Sequence, residues 1–436
     1  MKNIFSIILL TVSISCFSQN LYFPPLVGNQ WETLDPSELG WCADSLNSLI
    51  DYVGDNNSKA FIILKGGKIV VEEYYGTFTQ DSLWYWASAG KSLTSFLVGI
   101  AQQQGLLSID EPSSQYLGEG WTSCTTEQEA AITIKNQLSM NSGLDDGVQE
   151  SACTLNTCLQ YLADPGDRWS YHNAPYTLLD GVIENAAGVS LNNFLLNNVS
   201  LRTGIYGLYL QIQYNNVFFS KARNFARFGL LAQNNGVWAS DSILTDQNYF
   251  TEMVNPSQDL NQAYGYLWWL NGYDPYMLPQ SQNVFSGTLM PDAPSDLYSG
   301  IGRDGQYVMV SPSEDMVVVR MGNTPAGLAG LVPTVLGNDI WKRILNLECG
   351  PLFTSGQNDS PKFFAYPNPG NGIIYIQTNN PEIIHEIKVI DCIGRTVLNS
   401  KINSSEIDLS SFSKGIYTIV VTNKLNQREM FKYILN

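Results

Sequence analysis

Apolar residues recur every three or four positions in several segments of the chain. In residues 92–104 this spacing stops at Gly105, a residue that commonly follows the last turn of a helix. The same periodicity predicts helices over residues 44–53 and 176–187. Ser88 therefore lies just before the start of a predicted apolar helix.

Runs of alternating apolar residues predict strands near both ends of the first 350 residues. Each run is bounded by turn formers, such as Lys65-Gly66-Gly67-Lys68 and Gly302-Arg303-Asp304-Gly305. The predicted strands cover residues 60–64, 69–75, 297–301, 306–310 and 316–320. Strands from both ends, with helices between them, predict one α/β unit.

The pattern changes after Cys349. Residues 350–362 lose the apolar periodicity and are rich in turn formers, which predicts a linker. Short β-branched runs separated by Gly, Asn and Ser then predict a small all-β sandwich, with strands at residues 373–377, 387–390, 396–398 and 416–421.

Composition and charge exclude several classes of partner. The 436 residues are 44% hydrophobic, enough for a large core and more than one domain. The formal net charge is −17, and the basic residues are scattered, so neither nucleic acid nor anionic lipid is a predicted partner. Beyond the amino terminus, no segment is apolar enough to predict an integral membrane segment.

Residues 1–18 have the pattern of a secretory signal peptide. Lys2 is followed by an apolar run over residues 4–14 and by Cys16-Phe17-Ser18 as a small-residue cleavage site. The mature chain is predicted to begin near Gln19. Acylation of Cys16 in a lipoprotein is the alternative, although Ser13 stands where an aliphatic residue is usual.

Six cysteines remain in an exported chain, where disulfides persist. A zinc site is the alternative, but His172 and His385 are the only histidines and neither lies within four residues of a cysteine. The sequence therefore predicts disulfides, with no metal and no cofactor.

Candidate chemistry begins with Ser88 and Lys91. They are three residues apart, so a helix places both side chains on one face, and burial lowers the pKa of the amine. The start of the following helix favours a developing oxyanion. Ser411 and Lys414 share the spacing but precede no apolar helix, so the first pair is the candidate nucleophile and base.

Tyr171 and Asn173 complete the candidate site. A free tyrosine has a pKa of about 10, and we expect the ammonium of Lys91 to favour its phenolate and so make it a proton relay. Asn173 is able to hold a substrate carbonyl or amide. His172, the only histidine of the large unit, is a weaker candidate because a triad needs an orienting acid as well.

These residues resemble the serine β-lactamase and penicillin-recognising superfamily, nearest the class C β-lactamase-related esterases, amidases and peptidases. The resemblance covers roughly residues 34–347. Its motifs, in the family's order, are Ser88-Ala89-Gly90-Lys91, Gln137-Leu138-Ser139-Met140-Asn141-Ser142-Gly143-Leu144, Tyr171-His172-Asn173 with the segment at residues 176–184, and Ala226-Arg227-Phe228-Gly229-Leu230-Leu231.

The resemblance implies a fold and a set of roles. The fold is α/β, an antiparallel sheet flanked by helices plus a helical subdomain, which assigns residues 19–349 to a hydrolase domain. Ser88 is the implied nucleophile, Lys91 its partner, Tyr171 the general base and Asn173 a substrate-side hydrogen-bond donor.

A third family motif, Lys-Thr-Gly, falls on Tyr298-Ser299-Gly300 as implied substrate-binding residues. The amides of Ser88 and Ile301 are the implied oxyanion hole. The lysine that usually helps hold the carboxylate of penicillins is missing, which disfavours efficient β-lactam hydrolysis.

The resemblance also bears on the cysteines, because the family packs its first and last helices together on one sheet. Cys42 and Cys349 flank those helices and are an implied pair. Cys153 with Cys158 or with Cys124 is a second, weaker pairing.

Residues 363–436 resemble the type IX secretion sorting domain of the Bacteroidetes. The supporting motifs are Tyr366-Pro367-Asn368-Pro369, Asp391-Cys392-Ile393-Gly394-Arg395, Lys414-Gly415-Ile416-Tyr417 and a final lysine-containing strand. The implied partner is the type IX secretion machinery, and the implied location is the cell surface or the medium. An ordinary accessory sandwich is the alternative.

The predicted function is thus secreted ester or amide hydrolysis through an acyl-enzyme on Ser88. A β-lactamase or D-amino-acid peptidase uses the same residues and remains an alternative. So do a surface binding protein that has lost turnover and an adhesion protein with a vestigial serine cluster.

Overall fold

The computed structural model describes residues 21–325, 333–349, 363–378, 384–391, 395–400, 406–423 and 428–436. The chain divides into two compact units, one ending at Cys349 and one beginning at Gly350. The predicted signal peptide, residues 1–18, and the predicted linker, residues 350–362, lie outside the described residues. Within the described ranges, every helix is too short or too polar to cross a bilayer.

The described helices of the first unit are α1 Ala43–Asp55, α2 Gly90–Gln103, α3 Ser114–Leu117, α4 Thr126–Ala130, α5 Ile134–Leu138, α6 Asn173–Thr177, α7 Leu179–Ala187, α8 Leu191–Leu195, α9 Leu201–Thr203, α10 Ala222–Gln233, α11 Gln247–Met253 and α12 Thr334–Ile344. Three predicted helices of this unit, α1, α2 and the pair α6–α7, begin and end close to the positions given by the apolar periodicity, and the other helices were not predicted. The helix predicted over residues 176–187 is divided at Leu178, and its first part begins at Asn173.

The strands of the first unit join the two ends of the chain in one sheet. They are β1 Ser58–Lys65, β2 Lys68–Tyr74, β3 Trp84–Tyr85, β4 Gly207–Ile212, β5 Asn215–Ser220, β6 Val237–Trp238, β7 Asp241–Ser242, β8 Trp269–Leu270, β9 Tyr276–Met277, β10 Val284–Phe285, β11 Tyr298–Gly302, β12 Gln306–Ser311 and β13 Met316–Gly322. The main sheet has the order β2-β1-β13-β12-β11-β8, and its described pairings are antiparallel. The predicted α/β unit is confirmed.

Side-chain alternation along β12 divides the helices between the two faces of this sheet. Val308 lies against Gly229 of α10 and against Gly300 of β11. Gly300 in turn lies against Ser92 of α2. Met309, the next residue, lies instead near Gly337 of α12. Helices α2 and α10 therefore cover one face, and α12 covers the other.

A disulfide and two backbone hydrogen bonds join the ends of the first unit. Cys42 is bonded to Cys349, with the Cα atoms 4.9 Å apart. The Cys42 amide donates to Leu347 O and the Cys349 amide to Gly40 O, both at 2.7 Å. This pairing is confirmed.

The second predicted bridge is also present. Cys153 is bonded to Cys158, so the alternative partner, Cys124, keeps a free, half-buried thiol. The bridge spans only five residues and therefore constrains only its own loop.

The second unit is strand-rich, as predicted. Its described strands are β14 Phe363–Tyr366, β15 Ile373–Thr378, β16 Ile384–Ile390, β17 Thr396–Ser400, β18 Glu406–Asp408, β19 Gly415–Asn423 and β20 Arg428–Leu435. They form two sheets, ordered β14-β15-β18 and β17-β16-β19-β20, around a separate core that includes Ile374, Val389 and Ile419. The β-branched runs missed β14, β18 and β20, and the last of these was expected only from the resemblance to the sorting domain.

Replacing Cys42 and Cys349 by serine removes a disulfide between residues that are 307 positions apart in the chain. Because a cross-link lowers the entropy of the unfolded chain more for longer loops, we expect the free energy of unfolding to fall by about 2–5 kcal/mol. Urea unfolding of the oxidised full chain, followed by tryptophan fluorescence, measures this change. All ten tryptophans lie before Cys349, so the signal reports the first unit.

The matched control replaces Cys153 and Cys158 by serine, which opens a loop of only five positions. We expect this change to cost clearly less free energy of unfolding. Equal losses in the two double variants would show that loop closure by Cys42 and Cys349 is not what stabilises the unit.

Candidate active site

Ser88 lies in a tight turn that leads into α2. The turn, Ala87–Ala89, is a short 3₁₀ segment, and Ala87 adopts a φ of 48°, a strained value that is characteristic of functional sites. Trp86 anchors the turn, since its amide donates to Phe218 O and its indole to Ser220 Oγ, both at 2.8 Å. Ser88 is half-buried at a helix start, where amides lack intrahelical acceptors.

Lys91 lies beneath Ser88, away from solvent. Its Nζ donates to Ser88 Oγ at 3.0 Å, and the residue is only 4% exposed. The amine also lies over two aromatic rings, at 4.2 Å from the ring centre of Tyr176 and 5.1 Å from that of Tyr171. The predicted pairing of serine and lysine on one helical turn is thus present as a direct contact.

Burial lowers the pKa of Lys91 to about 7. The carboxylate of Asp180 opposes this shift, and the guanidinium of Arg303 adds to it. A lysine with this pKa is largely neutral slightly above pH 7, so its amine is able to accept a proton.

Tyr171 lies in the same pocket, held by aromatic packing. Its ring stacks on Trp269, with centres 5.7 Å apart and planes 20° apart, and Trp169 and Tyr264 pack around the pair. The preceding residue, Ser170, is fixed by its amide, which donates to a backbone carbonyl at 2.8 Å. These contacts fix the position of the phenol beside Ser88.

The expected lowering of the Tyr171 pKa is wrong. Burial raises the pKa of this phenol above its ordinary value, and a hydrogen bond with Ser88 only partly opposes the shift. The physical reason is desolvation, because a phenolate packed among aromatic rings loses its hydration and no nearby positive charge replaces it. Tyr171 is therefore a protonated hydroxyl, able to pass a proton on.

Asn173 and His172 flank the phenol differently. Asn173 is the first residue of α6 and is half-buried, and its side-chain amide has no hydrogen-bond partner among the described residues. His172 is 2% exposed, and burial lowers its pKa to about 4, so it is neutral near pH 7. No group of three or more potential metal ligands occurs in the part of the chain that the structure describes.

Strand β11 passes directly beside the Ser88 turn because two of its residues are glycines. A Cβ atom on Gly302 would lie 2.5 Å from Trp86 O and 3.0 Å from Ala89 N. One on Gly300 would lie 3.2 Å from Ala89 O. Any larger residue would force the strand and the turn apart.

The amide of Ile301 points to the open edge of β11. The carbonyl oxygen of Leu297 accepts a hydrogen bond from the amide of Asn271 at 2.8 Å. Because peptide groups alternate in direction along a strand, the odd-numbered residues of β11 also direct theirs towards β8. Pairing with β8 ends at Ser299, and the N–H of Ile301 therefore lies beyond the end of β8. This is the direction required for an oxyanion donor next to Ser88.

The side chains of Tyr298 and Ser299 do not match the predicted substrate-binding role. The Tyr298 hydroxyl donates to Ala232 O in α10 at 2.9 Å, inside the core. Ser299 is fully buried. Neighbouring residues of a central strand point to opposite faces, and both faces are packed here, so neither side chain is available to a substrate. This part of β11 therefore offers the site its backbone groups.

Asp180 is a buried acid within the motif segment at residues 176–184, and the sequence pattern gave it no predicted role. It is 7% exposed, one carboxylate oxygen accepts from Asn216 Nδ2 at 3.0 Å, and the other has no partner among the described residues. Burial raises its pKa to about 7. Only the packing of α7 against α2 brings this carboxylate close enough to influence Lys91.

Comparisons with known proteins identify the family of each unit. Residues 47–332 match the family model described as beta-lactamase, and residues 365–436 match that of the secretion system C-terminal sorting domain. Penicillin-binding protein 4* of Bacillus subtilis is 23% identical over 186 residues, which cover 37% of this chain. The aligned segment is 40% of that relative's length.

Solved structures show the same fold. A penicillin-binding protein homologue from Caulobacter crescentus has a TM-score of 0.54 at 11% identity, covering 71% of this chain and 99% of its own. EstCE1, a hydrolase with promiscuous acyltransferase activity, has a TM-score of 0.52 at 13% identity, covering 69% and 98%. The chain belongs to the beta-lactamase family of serine hydrolases and carries a type IX secretion sorting domain at its carboxyl end.

Proposed function

We propose that the protein is an exported serine hydrolase that forms an acyl-enzyme on Ser88 and hydrolyses an ester or an amide. The contact of Lys91 Nζ with Ser88 Oγ, at 3.0 Å, carries the proposal. A serine hydroxyl is a weak nucleophile unless a base lies within hydrogen-bond reach, and a desolvated amine is such a base.

In the acylation step, neutral Lys91 takes the hydroxyl proton as Ser88 Oγ attacks the substrate carbonyl carbon. The negative charge that forms on the carbonyl oxygen is accepted by the amides of Ser88 and Ile301. The bond to the leaving group then breaks. Tyr171 gives its hydroxyl proton to that group and takes one from the Lys91 ammonium.

Deacylation reverses these transfers with water as the nucleophile. Water attacks the acyl carbon while its proton passes through Tyr171 to Lys91. Ser88 Oγ leaves with a proton from the Lys91 ammonium, which restores the resting site. Asn173, with a free side-chain amide at the start of α6, orients the substrate by hydrogen bonds.

We infer that the protein is exported, because both ends of the chain carry features of export signals. The sorting domain is the address for type IX secretion to the cell surface or the medium, and residues 1–18 supply the proposed signal peptide for the first membrane. Disulfide formation in the first unit is compatible with this route, since disulfides persist in oxidising compartments.

Among the alternatives, a binding protein without turnover is disfavoured by the contact between Lys91 and Ser88. Efficient β-lactam hydrolysis is disfavoured because Tyr298, in the place of the family's motif lysine, brings no positive charge. Ester or amide hydrolysis is the function that these residues support best.

Ser88→Ala is expected to abolish labelling of the full chain by a serine-reactive phosphonate ester and to lower ester turnover by at least about 10⁴-fold, because it removes the nucleophile. Intact-mass spectrometry and initial rates measure both effects. The control is Ser411→Ala, which removes the same spacing to a lysine in an exposed turn before β19. An adduct that persists in Ser88→Ala would contradict the assignment.

The pH profile is expected to follow Lys91. Only the neutral amine accepts the serine proton, and its pKa is lowered to about 7. Therefore kcat/KM for a neutral ester should rise about tenfold per pH unit below pH 7 and level off above it. Asp180→Asn removes a charge that raises the pKa of Lys91, so the rise should move to lower pH. An unchanged profile in that variant would assign the titration to another group.

Tyr171→Phe keeps the ring stacked on Trp269 but removes the hydroxyl that passes protons. We expect kcat to fall about 10²- to 10⁴-fold, with slower acylation and slower deacylation in stopped-flow measurements. Tyr264→Phe removes a hydroxyl from the same aromatic cluster and should retain activity. Equal losses in the two variants would indicate a packing defect rather than a lost proton transfer.

A further inference from the structure

A cavity of about 310 Å³ lies in the first unit, between the amino-terminal segment and the start of α10. Residues 26–31 form one wall, and Lys221, Arg223 and Arg227 belong to the other. The lining shares no residue with the candidate active site. The volume is at the lower end of the range for small-molecule sites, so the cavity has room for one small ligand.

Arg227 is a buried cation on the wall of this cavity. It is 5% exposed, and its guanidinium lies 5.2 and 5.4 Å from the ring centres of Trp31 and Trp238. Its terminal nitrogens donate to the carbonyl oxygens of Thr203, at 2.9 Å, and of residues 24 and 25, at 3.5 and 2.6 Å. The Nε–H has no acceptor among the described residues, so this donor remains for a ligand.

The charge of Arg227 lacks a carboxylate partner within the described ranges. The other two cations of the wall are paired, Arg223 with Glu72 and Lys221 with Asp81, each at 2.6 Å. Three cations and two paired carboxylates leave one positive charge at the cavity. Burial and the charge of Arg223 lower the pKa of Arg227 to about 10, so it stays charged near neutral pH. A buried charge without a counter-charge is costly, and an anion in the adjacent cavity would remove that cost.

A structural role explains part of this arrangement. Arg227 fixes residues 24 and 25 beside α10 through its contacts with their carbonyl oxygens, and Arg223 donates to the carbonyl oxygen of Asn29 in the same way. Carbonyl dipoles and aromatic faces reduce the cost of burying the guanidinium, but they bring no full negative charge. A purely structural role also requires no cavity beside the charge.

We propose that this cavity is a second ligand site, separate from Ser88, and that it binds a small organic molecule with one carboxylate. A single negative charge balances Arg227, and a carboxylate oxygen is a strong acceptor for its Nε–H. Trp31 and the exposed side chains of Leu26 and Val27 offer apolar surface to the rest of the ligand. The proposal does not depend on the proposed hydrolase function.

Two compounds of equal size separate the charge of the ligand from its shape. 4-Fluorobenzoate carries the carboxylate, and 4-fluorobenzamide is its neutral counterpart. In a ¹⁹F NMR titration of the full chain at low ionic strength, we expect a dissociation constant of about 1–10 mM for the acid and at least about tenfold weaker binding of the amide. No binding of the acid, or equal binding of the two compounds, would overturn the proposal.

Arg227→Gln removes the charge and is expected to weaken binding of the acid about tenfold or more. Because Arg227 also fixes the amino-terminal segment, a second pair of variants leaves it in place. Val27 lines the cavity and is 80% exposed, so the fold tolerates its replacement. Val27→Glu supplies a tethered carboxylate that competes for Arg227 and should weaken binding about tenfold, whereas the uncharged Val27→Gln should change it less than about threefold. Equal effects of these two substitutions would contradict the assignment.

A last variant distinguishes the cavity from the candidate active site. Lys91→Met removes the buried cation beside Ser88, and we expect it to change binding of the acid less than about threefold, because Lys91 does not line the cavity. Loss of binding in Lys91→Met would place the acid at the active site and overturn the proposal. Since the measurement needs no turnover, failure of the hydrolase assignment would leave its result unaffected.

Discussion

The first unit is organised around one constraint, which is that the amine of Lys91 stays out of water. Lys91 is nearly fully buried, and the cost of desolvating an ammonium keeps its pKa close to neutrality. Aromatic rings of Tyr171 and Tyr176 close the pocket on two sides without supplying a full counter-charge. If water entered, the amine would regain its ordinary pKa, and Ser88 would lose its proposed base.

The other parts of the site must therefore approach the amine closely while keeping it dry. Glycines at positions 300 and 302 let β11 pass against the Ser88 turn, which closes that side and directs the Ile301 amide to the open edge. Dense packing and the direction of the Ile301 amide thus both follow from one strand in one register.

Two distant chain segments maintain that register. Strands β1 and β13 pair across nearly the whole first unit, and the bond between Cys42 and Cys349 secures the same ends. Buried Arg320, on β13, links this scaffold to the turn after β11 through carbonyl oxygens. The sandwich of the second unit has a core of its own, built from residues of that unit.

Local sequence patterns predicted the longer elements and the serine–lysine motif. Periodicity is a property of neighbouring residues, so it predicted α1, α2 and the β11–β12 hairpin, and three-residue spacing put Ser88 and Lys91 on one face. Protonation states and side-chain directions depend on neighbours that are distant in sequence, so they become visible only in the folded chain. Packing raised the pKa of Tyr171 against expectation, directed the Tyr298 hydroxyl into the core and brought Asp180 to bear on Lys91. Desolvation is a sum over the whole fold, which no local pattern encodes.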